Sequence, residues 1–173
     1  MTDGVDNRSK AVGWLNLARS RANKQRVDLE ISNLREYANK AGCTLEDLGT
    51  NEEELGALII QSHRSEAVSW LRLARMLASD GEIKAEIAYL RGYASKAGCT
   101  LEDLGTNEEE LDALIIQGNR SEAIMWLGLA RERANRKDIK TEVSWLRQFV
   151  SLAGCTLEDL GTNEEELAAL QSK

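Results

Sequence analysis

Five carboxylates stand within nine residues at Glu46, Asp47, Glu52, Glu53 and Glu54, and the same five recur in two later segments. Acids at that density could collect divalent cations or capture a basic partner. The segment lacks the alternating oxygen ligands and sharp-turn glycine of an EF-hand loop, so no metal site is predicted. A protein or peptide, naturally a basic one, is the electrostatic complement. The expected partner contacts are Glu46, Asp47, Glu52 and Glu53, then Glu102, Asp103, Glu108 and Glu109, then Glu158, Asp159, Glu164 and Glu165.

Other groups with chemical potential are sparse. His63 is the only histidine. Its slot holds Asn7 and Asn119 elsewhere, so it reads as a helix-capping residue, not a base. Cys43, Cys99 and Cys155 have no neighbouring histidine or second cysteine at metal spacing. Three cysteines cannot all pair within one chain, which fits a reducing compartment. No phosphate loop or dinucleotide fingerprint is present. Neither catalytic residues nor a cofactor are predicted, and the chain is read as a non-enzyme. Arginines offer the alternative chemistry, because a repeated basic face binds phosphate. Arg19, Arg21, Arg131, Arg133 and Arg136 are the candidate nucleic-acid contacts. The middle copy interrupts that stripe with Met76, Leu77, Asp80 and Glu82, and the sequence pI is about 4.9. The other reading of the bases is internal: Arg19, Arg75 and Arg131 recur in register with Glu30, Glu86 and Glu142 and would bridge paired helices.

What positions these groups is a repeat. The block AGCTLEDLGTNEEEL occurs unchanged at residues 41–55, 97–111 and 153–167, a period of 56 residues. Its three copies hold 15 of the 29 acidic residues and no base, so the intervening segments, with all 22 lysines and arginines, carry a net positive charge. Charge therefore alternates along the chain, and head-to-tail self-association is one outcome it permits. Each unit reads as helical. Ala11, Trp14, Leu15, Ala18 and Ala22 keep helical spacing, as do Val27, Ile31, Leu34, Ala38 and Ala41. Trp14, Trp70 and Trp126 are the expected core markers. Gly42 fits the left-handed position after a helix, with Cys43 behind it. Thr44 with Asp47 predicts a single turn, and Thr50 with Glu53 a longer helix through Leu55, Leu58 and Ile59. A new unit is expected after Ser62-His63 and after Gly118-Asn119. Gly13, Gly56, Gly92 and Gly128 fall inside helices and imply close packing at most.

The expected fold is all-α, an open solenoid of three repeats with about three main helices each, at residues 6–61, 62–117 and 118–173. The third copy ends in Gln171 and Ser172 where the others have isoleucines, as a capping repeat requires. Ile59, Ile60, Ile115 and Ile116 would face the following unit, and Asn33 in the slot of Tyr89 and Trp145 would mark the other end. No stretch is long and apolar enough for a membrane span, and a cytoplasmic location is expected.

Trp70, Leu73 and Ala74, with Gly81, Ile83 and Leu90 after them, resemble the tetratricopeptide helical hairpin over roughly residues 8–42 of each unit. That resemblance implies a right-handed helical array holding partner proteins. Glu86 and Tyr93 depart from the family's small residues, the terminal proline is missing, and the period exceeds the family's value of about 34. The functional expectation is a noncatalytic scaffold. Two alternatives accompany it, a nucleic-acid-binding repeat and a consensus-built or purely structural array without a ligand. The frozen block favours consensus construction or a repeated contact over recent duplication, which would have spared the helices as well.

Overall fold

The computed structural model describes residues 2–134 and 139–172. Arg136 lies outside them. Every regular element among the described residues is helical, and none is long and apolar enough to cross a membrane. The helices are α1 (Thr2–Arg21), α2 (Asp28–Ala41), α3 (Glu52–Leu77), α4 (Lys84–Ala97), α5 (Glu108–Arg133), α6 (Lys140–Leu152) and α7 (Glu164–Gln171). Single 3-10 turns at Glu46–Leu48, Glu102–Leu104 and Glu158–Leu160 precede α3, α5 and α7.

Among the described residues seven helices stand where nine are expected, because the last helix of one copy and the first of the next are fused. α3 and α5 each run 26 residues without a break. The residues read as helix-ending signals do other work there. Ser62 turns its hydroxyl back onto the Ile59 carbonyl at 2.8 Å. Gly118 keeps helical backbone and makes room for a neighbouring strand of chain, since a Cβ on it would stand 2.3 Å from the Gly81 carbonyl oxygen. Asn119 is buried and sends its amide to the Leu152 carbonyl at 3.2 Å, not to its own helix. His63 is likewise a buried mid-helix residue and no cap. Its Nε2 lies 3.6 Å from Asp28 Oδ1, and its ring sits 5.9 Å from that of Tyr93. α1 also starts earlier than expected, at Thr2.

The chain divides into two compact units, residues 1–70 with 88–105, and residues 71–87 with 106–173. In the first, Ala11, Leu15 and Ala18 of α1, with Ala22 just past its end, mesh with Ile31, Leu34 and Ala38 of α2, closed by Val27, Leu48 and Leu55. In the second, Ala123, Leu127 and Ala130 of α5 meet Val143, Leu146 and Phe149 of α6, with Leu157, Leu167 and Leu170 beneath. Alanine on one helix opposite leucine and isoleucine on the other lets the backbones approach and fills the gap with branched side chains.

The tryptophans are not core. Leu15, Leu71 and Leu127, each next to one, are at most 3% exposed, whereas Trp14, Trp70 and Trp126 are half-buried. Trp70 stacks on Tyr89 with ring centroids 4.6 Å apart, and Trp126 stacks on Trp145 at 6.0 Å. Tyr89 and Trp145 remain 54% and 41% exposed, so the slot they share with Asn33 is a surface one. Ile60 and Ile116 are also about half exposed, whereas Ile59 and Ile115 are partly buried. A Cβ on Gly13, Gly56, Gly92 or Gly128 would meet nothing within 4 Å, so these glycines do not mark close packing.

Candidate functional site

Each copy of the acidic block starts where a helix stops. Gly42, Gly98 and Gly154 adopt φ of 65°, 63° and 61°, a left-handed backbone that costs glycine nothing. The following Cys43, Cys99 and Cys155 donate their N–H to the carbonyls of Ala38, Ala94 and Val150 at 3.0–3.2 Å, the six-to-one closure of a Schellman motif. The thiols are half-buried, with Sγ 3.6–3.8 Å from a backbone carbonyl oxygen. No group of His, Cys, Asp and Glu that could hold a metal ion occurs among the described residues.

The block then folds on itself. Asp47 Oδ2 accepts the Thr44 N–H at 2.9 Å, and Thr44 Oγ1 accepts the Asp47 N–H at 3.2 Å, a reciprocal cap on the 3-10 turn. Asp103 with Thr100 and Asp159 with Thr156 repeat it. The bond from the Thr44 backbone, then that from its hydroxyl, holds the Asp47 carboxyl below the ordinary carboxylate range, as their counterparts do for Asp103 and Asp159. Arg8, Arg64 and Arg120 secure the turns by donating to the backbone carbonyls of these three aspartates at 3.0–3.3 Å. Gly49, Gly105 and Gly161 end the turns with φ of 73–76°.

The next helix is capped by asparagine, not by the expected Thr50–Glu53 pair. Asn51, Asn107 and Asn163 accept the N–H of Glu54, Glu110 and Glu166 at 2.8 Å. Thr50, Thr106 and Thr162, at 5–6% exposure, instead donate their hydroxyls to the carboxylates of those same glutamates at 2.7–2.8 Å. Each of these carboxylates also receives a forked arginine. Arg19 Nε and Nη2 reach Glu54 at 2.7 and 2.9 Å, Arg75 reaches Glu110 at 2.8 and 3.0 Å, and Arg131 reaches Glu166 at 2.9 and 3.1 Å. Arginine first and threonine second lower the pKa of all three glutamates. Arg19 and Arg131 add a bond to the Gly49 and Gly161 carbonyls.

These pairings correct the expected bridge to Glu30, Glu86 and Glu142. The buried Glu30 and Glu142 take Arg21 and Arg133 at 2.7 and 2.9 Å. In the middle copy Leu77 fills the arginine's slot, and Glu86 is half-buried rather than buried. Every described arginine among the candidate nucleic-acid contacts, Arg19, Arg21, Arg131 and Arg133, is thus bound to a carboxylate of its own chain, which leaves little net charge for phosphate.

The predicted partner contacts divide into two groups. Asp47, Asp103 and Asp159 are caps. Glu52 and Glu164 are ion-paired with Arg35 and Arg147, and Arg147 lowers the Glu164 pKa. Glu108 is also engaged within the chain. Glu46, Glu53, Glu102, Glu109, Glu158 and Glu165 are exposed, and their carboxylates make no hydrogen bond or ion pair. The constant 35-residue offset from Arg19, Arg75 and Arg131 to Glu54, Glu110 and Glu166 is a sequence signal that would have located the internal anchors. The chain matches no protein-family model, no curated protein and no solved structure.

Proposed function

We propose that this chain is a noncatalytic helical-repeat scaffold of the open-solenoid, tetratricopeptide-like kind, holding a protein or peptide partner through the unpartnered acids of its repeated block. One observation carries the reading. Threonine, aspartate, asparagine, glycine, the third glutamate and the buried leucines of the block each have an internal bond or contact that accounts for their recurrence, whereas Glu46 and Glu53 and their equivalents have none. A helix dipole accepts either acid at such positions, yet glutamate stands at all six. Identical side chains repeated at a fixed interval, held by a capped and arginine-braced loop, suit repeated contacts along a partner, and summed contacts of that type raise affinity by effective concentration. The reading places the protein in the cytoplasm and makes its partner basic.

The test is recovery of partners from a lysate with and without nuclease, by the wild-type chain and by a variant with Glu46, Glu53, Glu102, Glu109, Glu158 and Glu165 changed to glutamine. A nuclease-resistant partner held by the wild type and lost by the folded variant is the expected result. Equal recovery by both removes the block from the binding surface, and nuclease-sensitive recovery of RNA overturns the scaffold reading in favour of the arginine helices.

A further inference from the structure

The second unit carries an exposed aromatic face outside the repeated block. Trp145 of α6 stacks with Trp126 of α5 and with Phe149, one helical turn further on, at centroid distances of 6.0 and 6.1 Å and with ring planes within 30°. Phe149 is buried and Trp126 half-buried, and their packing fixes the indole of Trp145, which stays 41% exposed. An ordered, half-exposed tryptophan is the side chain most often found at the energetic centre of a protein interface, and its face attracts cations.

Charge identifies what would lie on it. No lysine or arginine occurs within four residues of Trp126 on α5. Glu122, one turn before Trp126 and so on the same side of the helix, reaches into a recess of about 200 Å³ lined by Leu77, Asp80, Gly81 and Glu82. The recess sits just past the C-terminal end of α3, where the helix dipole favours positive charge. Gly81 makes the arrangement possible, because a Cβ there would stand 2.6 Å from Glu122 Oε1. Within the recess Glu82 is paired with Lys84 at 3.2 Å and Asp80 accepts a long bond from the Ser79 hydroxyl, while the Glu122 carboxylate has no partner. A second copy of the chain is the wrong occupant, because Arg19, Arg21, Arg131 and Arg133 of its basic segments are already bound to its own carboxylates, and so is a nucleic acid.

We propose that the Trp126–Trp145 face and the acidic recess beside it dock a basic peptide segment, one cationic side chain lying over Trp145 and another entering the recess at Glu122. This rests on the scaffold reading and adds to it a contact outside the repeated block. Trp70 and Tyr89 present a comparable stacked face in the first unit, with Glu66 one turn before Trp70. The first copy has Asn33 in that position and has no second ring of this kind.

The probe is a fluorescein-labelled peptide of alternating arginine and alanine, titrated at near-physiological salt against the full chain, with the glutamate-alanine peptide and oligouridine as comparators. Trp145→Asn, which installs the residue found in the first copy, and Glu122→Gln are each expected to weaken the arginine peptide roughly tenfold. In the six-glutamine block background, Trp145→Asn and Glu122→Gln should each still weaken the peptide by about the same factor as in the wild type, as independent contacts do. Unfolding curves establish that each variant is folded, and Glu122→Gln, a surface change, keeps the test informative should Trp145→Asn fail to fold. Binding lost in the block variant but kept in Trp145→Asn and Glu122→Gln overturns this inference and leaves the scaffold reading intact. So does failure to bind the arginine peptide while the lysate experiment still yields a partner. Tighter binding of oligouridine overturns both.

Discussion

Gly118→Ala tests the fused-helix architecture directly. The ideal Cβ would lie 2.3 Å from the Gly81 carbonyl oxygen, 3.3 Å from its carbon and 3.5 Å from Glu82 Cα, all backbone atoms that no rotamer change can move aside. Relief requires the turn after α3 to retreat by about 1 Å, an overpacking strain of about 1–3 kcal/mol. Alanine returns up to about 1 kcal/mol of helix propensity, so the expected net loss is about 0–2 kcal/mol. Gly128→Ala, in the same helix but facing open space, receives only the propensity term and should gain about 0.5–1 kcal/mol. The propensity term is common to both variants, so the strain of about 1–3 kcal/mol separates them, or about 2–12 °C in melting temperature at this chain length. Urea unfolding, followed in parallel by tryptophan fluorescence and far-UV circular dichroism, measures the difference. A Gly118→Ala protein as stable as Gly128→Ala would show that α5 and the Gly81 turn do not approach closely, and the account of why the helix is continuous would fall with it.

Two further outcomes follow from the same packing and bonding. Asp47, Asp103, Asp159, Glu54, Glu110 and Glu166 all have folded pKa values lowered by their bonds; the stability they lend is present above the ordinary carboxylate range and is lost as pH falls through the lowered values, on the acid side of about pH 4. Replacing Thr50, Thr106 and Thr162 with valine should therefore lower the melting temperature at neutral pH, and the gap to wild type should narrow on acidification; a gap constant with pH would sever the threonines from the glutamates. Leu71→Ala should cost about 2–5 kcal/mol and Trp70→Ala no more than that, since Leu71 is 2% exposed and Trp70 only half-buried; chemical denaturation of the pair decides, and a larger tryptophan loss would restore Trp70 to the core.

Local chemistry made much of this molecule legible before any coordinates. Gly42 and Cys43 after an amphipathic run specify a Schellman closure by backbone geometry alone, and Thr44 with Asp47 specifies a capped turn, so both were readable from a few adjacent residues. The misreadings share a cause, which is that they depend on what lies across the fold. Gly118-Asn119 has the composition of a helix end, but a glycine that admits the Gly81 carbonyl and an asparagine that bonds the Leu152 carbonyl look the same in one dimension. Trp14, Trp70 and Trp126 have the spacing of core residues, yet a helix can bury a leucine one position on and leave the indole at the margin. Of the acids, Glu54 differs from Glu53 beside it in being bound by Thr50 and by Arg19, and the arginine lies 35 residues away.

The continuity of α3 and α5 bears on how such a chain could be lengthened. A helix of 26 residues spans about 39 Å, and the textual boundary between copies near residues 61 and 117 falls inside it. Splicing an extra copy there would demand that two half-helices meet in correct rotational phase, since one residue too many turns every later side chain by about 100°. The joints at Gly49, Gly105 and Gly161 impose no such condition: a helix begins just beyond each, capped by its own asparagine, and a cut at these glycines transfers a complete helix with its start signal. Recombination or cloning between those glycines would exchange units of the same 56-residue length and keep the phase of every helix.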